Sequence, residues 1–196
     1  MFPVLISVLL VVACHGYPDG APDTPEMCNT LRPTHYIIKE TSSSGQWQPT
    51  ALKPLNYSLH VDRTSVYPGE EVQIMIKADQ MYFEGFILQA RRASNTLDYS
   101  MKYGTFKPHD EDAKLICNDA GITHTQHFHW KNITFSWIAP QNLKENVKFV
   151  ATVVKGYKTY FMNVESDVVK VSGTSAVGIS TLILLLASAI NIAHLV

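Results

Sequence analysis

Three histidines fall in the short run His124-Thr125-Gln126-His127-Phe128-His129-Trp130. On an extended segment, residues two apart project to one face, so His127 and His129 could offer two neutral imidazole nitrogens to one metal ion. Two ligands do not make a structural zinc site, and no Asp, Glu or Cys lies within a few positions to complete one. The sequence therefore places the trio on a solvated face near a turn, and assigns neither a metal nor any other cofactor. Cysteine chemistry is equally constrained. Of the 3 cysteines, Cys14, Cys28 and Cys117, neither Cys28 nor Cys117 has a His or acid positioned by sequence to activate it as a nucleophile. The acidic runs Glu70-Glu71 and Asp110-Glu111-Asp112 sit in turn and loop contexts and read as solvated charge. Nucleophile-elbow, phosphate-loop and zinc-protease helix sequences are all missing, so no catalytic residue is assigned and the chain reads as a non-enzyme.

Modification chemistry is better marked. Asn56-Tyr57-Ser58 and Asn132-Ile133-Thr134 are N-glycosylation acceptor sequences. Both acceptors, Asn56 and Asn132, fall on the outward phase of alternating segments. The N-terminal residues Met1 to Ala13 are almost wholly apolar and too short to span a bilayer, which fits a secretory signal peptide over residues 1–16. Cleavage after Gly16 removes Cys14 and exports the rest to an oxidising compartment, where Cys28 and Cys117 are expected to pair. The loop so closed is about 90 residues long, worth on the order of 4 kcal/mol in the chain-entropy account. At the other end, Ile179 to Ala193 is strongly apolar, preceded by the small residues Ser172-Gly173-Thr174-Ser175-Ala176 and followed by no basic cluster. Residues 172–196 thus read as a glycolipid-anchor signal, with a retained membrane tail as the alternative. The expected address is extracellular, either secreted or on the outer face of the plasma membrane.

The 16 basic and 17 acidic side chains leave a net charge of −1, so no overall field draws the chain to nucleic acid. The one adjacent basic pair, Arg91-Arg92, reads as one solvated and one paired residue rather than a binding patch.

These groups must be held by strands. Phe83 to Arg92 alternates Phe86, Leu88 and Ala90 with Ile87, Gln89 and Arg91, and Ile87 on the second face predicts a central strand covered on both sides. Gly85 within it predicts a bulge or a close backbone approach. Asn56 to Asp62 is a half-buried strand with Tyr57, Leu59 and Val61 inward. Tyr67-Pro68-Gly69-Glu70 is a turn, and Val72, Ile74 and Ile76 face inward from the next strand. Further strands are expected at Thr34–Lys39, around Gly104-Thr105-Phe106, at Lys114–Cys117, Asn132–Ile138, Val147–Lys155, Tyr160–Val164 and Asp167–Val171. Tyr17 to Pro25 reads as an extended arm and Thr41 to Gly45 as a loop. No stretch has a useful helical period. The result is an all-β, antiparallel sandwich of eight or nine strands over residues 17–171.

The order of motifs resembles a reeler domain. It runs Tyr17-Pro18-Asp19-Gly20-Ala21-Pro22, Cys28, Pro33-Thr34-His35, Tyr67-Pro68-Gly69 and Phe83-Glu84-Gly85-Phe86-Ile87-Leu88-Gln89-Ala90-Arg91. It continues with Gly104-Thr105-Phe106, Cys117, Thr123-His124, Trp137-Ile138-Ala139-Pro140 and Val147-Lys148-Phe149-Val150-Ala151-Thr152. A single-domain chain of this kind is similar to the insect defence proteins. The resemblance implies an immunoglobulin-like β-sandwich and an innate-immunity role, binding bacterial surface glycolipids or polysaccharides and haemocyte surfaces. A cell-surface adhesion or extracellular-matrix module with a protein partner is the second reading. The chain departs from the pattern at His127-Phe128-His129 and in its apolar tail. Larger membrane proteins resembling ferric-chelate reductases carry the same domain, but their haem and redox modules have no counterpart here, so reductase activity is not carried over. The loop after the central strand offers Lys102, Tyr103 and Lys107 as exposed basic and aromatic side chains, which also read as ordinary solvated residues.

Overall fold

The computed structural model describes residues 17–33, 56–98, 101–156 and 159–173. The expected signal peptide, the strand at Thr34–Lys39, the loop at Thr41–Gly45 and the apolar tail lie outside those residues.

Two antiparallel sheets face each other. One has four strands: β1 (Tyr57–Val61), β3 (Glu71–Ala78), β8 (Asn132–Ile138) and β5 (Thr105–Pro108), in that order. The other has five: β10 (Thr159–Glu165), β9 (Val147–Gly156), β4 (Gly85–Arg92), β7 (Gly121–His124) and β6 (Ala113–Ile116). A short parallel pair, β2 (Ser65–Val66) with β11 (Lys170–Val171), closes one edge. Alternation explains the core. Val72, Ile74 and Ile76 of β3 and Ile133, Phe135 and Trp137 of β8 point inward to meet Phe86, Leu88 and Ala90 of β4 and Phe149, Ala151 and Val153 of β9. Ring contacts stitch the two layers: Phe86 to Phe135 at 5.1 Å, and Trp137 edge-on to Phe149 at 5.3 Å. The Trp137 indole N–H donates to the Tyr103 carbonyl at 2.8 Å, so its polar atom enters the core satisfied. The expected turn at Tyr67–Glu70 is present. The Glu70 N–H donates to the Tyr67 carbonyl at 3.1 Å, and Gly69 adopts φ +86°, which a side chain would resist.

β4 is the middle strand of its sheet and is buried on both faces. The cover on its second face is a helix that the hydrophobic period does not announce. Helix α1 spans Pro25–Thr30. Its signal is chemical rather than periodic: Thr24 caps the Met27 N–H, Pro25 sits in the first turn, and Glu26 follows. Met27, Cys28 and Leu31 pack on Ile87, Val150, Ile116 and Cys117. A helix end leaves carbonyls unpaired, and here strand side chains take them. Gln89 Nε2 donates to the Cys28 carbonyl at 3.0 Å, Arg91 Nη2 to the Asn29 carbonyl at 2.9 Å, and Thr152 Oγ1 to the Leu31 carbonyl at 2.6 Å. The expectation for Arg91-Arg92 is thereby corrected. Arg91 is only 1% exposed and also donates to Gln89 Oε1 and the Thr96 carbonyl. Arg92 pairs with Glu145 at 2.7 Å. Neither is simply solvated, because helix α1 covers the face on which Arg91 lies.

Cys28 and Cys117 are joined as a disulfide, with Cα atoms 5.5 Å apart across a sequence separation of 89. It fastens helix α1 to the end of β6, over the same face of the five-stranded sheet.

Candidate functional site

The sequence motifs converge at one end of the sandwich, where β4 begins and where the chain crosses from β7 to β8. Two of the three histidines and an acid meet there. Phe83 and Trp130 form an antiparallel bridge, each N–H donating to the other's carbonyl at 3.0 Å. In that register, Glu84 is the residue next to Phe83 and His129 is the residue next to Trp130. Phe83 and Trp130 turn inward and are buried, so their neighbours turn outward. His127, two residues before His129, joins the same face. The outcome is a carboxylate flanked by two imidazoles: Glu84 Oε2 lies 3.3 Å from His127 Nε2, and Glu84 Oε1 lies 3.3 Å from His129 Nε2. All three ligand atoms fall within 4.8 Å of one another.

Each member is positioned. The Glu84 N–H donates to the Val154 carbonyl of β9 at 2.8 Å, which sets its backbone at the sheet end. His129 stacks on Tyr82, ring centroids 3.9 Å apart. Phe128, 55% exposed, leans edge-on against buried Trp130 at 5.6 Å. The Tyr57 hydroxyl donates to the Tyr82 carbonyl at 2.9 Å. Burial, then the nearby Tyr82 and Glu84, push its pKa above the usual phenol value. The segment 127–129 is not itself a strand, yet the two histidines do share a face.

His124 goes elsewhere, so the trio is not a unit. It is 7% exposed and lies against Gly85. Its Nδ1 accepts the Phe86 N–H at 3.2 Å, and its Nε2 reaches the Tyr17 carbonyl at 3.2 Å. That pairing requires the tautomer with hydrogen on Nε2. Burial pulls the imidazole pKa below its ordinary value, against the smaller upward pull of the Phe86 and Tyr17 carbonyls that face its ring nitrogens. The expected close approach at Gly85 is therefore real, and its partner is this ring: a Cβ there would stand 2.7 Å from His124 Cε1. The N-terminal arm docks beside it. The Ala21 N–H donates to Thr123 Oγ1 at 3.0 Å, and Gly20, at φ +108°, presses so close to the His124 carbonyl that a Cβ would sit 2.2 Å away.

The sequence places an acid near His127 and His129 nowhere within a few positions, and the fold supplies one from 43 residues earlier in the chain, Glu84. Only the 83–130 pairing, which local pattern does not specify, could have revealed it. Both expected glycosylation acceptors, Asn56 and Asn132, border the same end. Lys77 of β3 pairs with Asn132, and the next residue, Ala78, pairs with Tyr57, which follows Asn56. Asn132 is exposed and Asn56 half-buried. The basic and aromatic residues after β4 are instead tied to neighbouring side chains, and Lys107 lies in strand β5 rather than in a loop. Lys102 Nζ donates to Asn29 Oδ1 at 2.9 Å, the Tyr103 hydroxyl donates to Glu145, and Lys107 pairs with Glu71 at 3.6 Å.

Similarity to known proteins agrees with this architecture. The reeler domain family model matches residues 26–177. The chain is 30% identical over 178 residues to the Bombyx mori protein named "Putative defense protein", covering 86% of this chain and 93% of that one. It is 27% identical over 169 residues to ferric-chelate reductase 1 of Mus musculus, covering 85% of this chain but spanning only 26% of the relative. Among solved structures, the human F-spondin reeler domain superposes with a TM-score of 0.52 at 23% identity, over 60% of this chain and 88% of that one. With the motif order, the two-sheet architecture and a family match across most of its length, this chain belongs to the reeler domain family.

Proposed function

We propose that the chain is a non-catalytic recognition protein of innate immunity that works outside the cell or on its outer surface and binds bacterial surface glycolipids or polysaccharides. One observation carries this reading. The relative named for defence is matched over 93% of its length, whereas the reductase is matched over only 26%. The part shared with the reductase is thus a reeler domain, and the part shared with the defence protein is nearly the whole molecule. The chemistry of the described residues is consistent with binding rather than turnover. Both described cysteines are spent in a disulfide, and the buried His124 is tied to backbone groups on both ring nitrogens. The end of the sandwich bearing Tyr82, His127, Phe128 and His129 is the favoured contact surface. Exposed loops on a rigid scaffold are where recognition concentrates, and flat aromatic rings supply contact area at low conformational cost. Attachment through a glycolipid at residues 172–175 would hold the domain at the host membrane, where it would also meet haemocytes.

The test is a pull-down of the glycosylated, tail-less domain on Gram-negative and Gram-positive cells across a salt series. Enrichment over an unrelated β-sandwich supports recognition, and weakening with salt marks an electrostatic component. No enrichment at any salt removes the bacterial reading in favour of an adhesion module with a protein partner. Release from expressing cells by phosphatidylinositol-specific phospholipase C checks the anchor, and resistance to it favours a retained tail.

A further inference from the structure

We propose that Glu84, His127 and His129 form a site for a divalent transition-metal ion, with zinc as the best-matched ion and one coordination position open to solvent. The inference goes beyond the recognition reading and does not depend on it. Its basis is convergence: two imidazole nitrogens and a carboxylate, from segments far apart in sequence, aim at one point. The spacing fits a ligand set. Ion pairs in this molecule run from 2.7 Å for Arg92–Glu145 to 3.9 Å for Arg92–Asp98, so distance shows a fit to an ion and does not set the cluster apart from an ion pair. Both histidines stand off from Glu84 at 3.3 Å. Two ligands each about 2.0–2.1 Å from a tetrahedral zinc ion are separated by about 3.3 Å.

The donor set also selects the class of ion. Calcium and magnesium prefer all-oxygen shells. Imidazole with carboxylate suits zinc, copper, nickel or ferrous iron, and two histidines with one glutamate and an open fourth position is a known zinc donor set. Access is provided, since the His127 and His129 side chains are 58% and 55% exposed while Glu84, at 20%, forms the floor. The scaffold is preorganised by the Phe83–Trp130 bridge, the Glu84–Val154 hydrogen bond and the Tyr82 stack on His129. Three protein ligands leave a fourth position for water or an anionic oxygen of a bound molecule.

The experiment uses the intact glycosylated protein, stripped with a chelator and dialysed against zinc chloride. We expect one zinc per chain, with affinity lowered roughly tenfold or more by Glu84→Gln and by His129→Ala. His127→Ala removes the most exposed ligand and serves as the variant least able to disturb folding. Thermal unfolding without zinc is expected to match wild type in all three, and X-ray absorption of the zinc-loaded protein is expected to show two imidazoles. His60→Ala, at an exposed histidine elsewhere, should leave uptake unchanged. No zinc bound up to about 100 µM, a concentration that still detects weak sites, would overturn the proposal. So would uptake that survives His127→Ala and Glu84→Gln together.

Discussion

Replacing Gly85 by alanine adds one methyl group where the central strand passes the His124 ring. Its Cβ would stand 2.7 Å from His124 Cε1, 2.9 Å from Nε2 and 3.3 Å from Nδ1. Comfortable carbon contacts begin at about 3.5 Å, so the ring must retreat by close to 1 Å. It has little room, with Phe86 and Trp130 beside it at centroid distances of 5.8 and 6.1 Å. Both ring nitrogens are engaged with backbone, so retreat also stretches the Phe86 N–H bond and the bond to the Tyr17 carbonyl. Overpacking of about 1–3 kcal/mol, with two hydrogen bonds weakened at about 0.5–1 kcal/mol each, gives an expected loss of about 2–5 kcal/mol. Denaturant unfolding with the disulfide intact measures it. A double-mutant cycle isolates the cause: with His124→Ala already in place the clash partner is gone, and Gly85→Ala should then cost less than about 0.5 kcal/mol. An equal cost in both backgrounds would refute the assignment of Gly85 to the His124 ring.

Three further outcomes are expected. Cys28→Ser/Cys117→Ser should lower unfolding free energy by about 2–5 kcal/mol, because the bridge closes a long loop, and unreduced peptide mapping should show only that pair linked. Acidification should destabilise the domain through His124. Its folded pKa is lowered, so the unfolded chain takes up the proton first; stability present above about pH 6.5 falls as pH drops through that value, and the loss levels off below the folded pKa. His124→Ala should flatten that part of the stability–pH curve, and an unchanged curve would exclude His124 as the source. Asn132→Gln and Asn56→Gln should each remove one glycan, seen as a loss of mass sensitive to peptide N-glycosidase; an unshifted Asn132 variant would remove that site despite its exposure.

Strand positions were legible because the β-period is two and local. The alternation in Tyr57–Val61, Glu71–Ala78 and Asn132–Ile138 predicts which residues are buried, and the structure buries them except for Val61 at the end of β1, which is half-buried. Phe83–Arg92 likewise declares a strand covered on both faces, though not what covers it. Helix α1 escaped because a six-residue helix is too short to show a period, and only the Thr24-Pro25-Glu26 start marks it. Arg91 was misplaced for the same reason: its burial depends on the helix packed above it, and its hydrogen-bond partners Asn29 and Thr96 are not set by alternation. The Cys28–Cys117 pairing followed from counting, given the expectation that residues 1–16, with Cys14, are a leader.

Which chemistry-bearing side chains meet was decided by tertiary structure alone. Local sequence groups His124 with His127 and His129, but chain direction changes between them. His124 ends β7 and turns into the sandwich beside Gly85, while His127 and His129 lie on the crossing to β8 and turn out toward Glu84. Sequence alone determined that the chain is a β-sandwich, because side-chain alternation is written in neighbouring residues. The Glu84–His127–His129 cluster was determined by the Phe83–Trp130 pairing, a register between distant segments that depends on how two sheets close over a shared core.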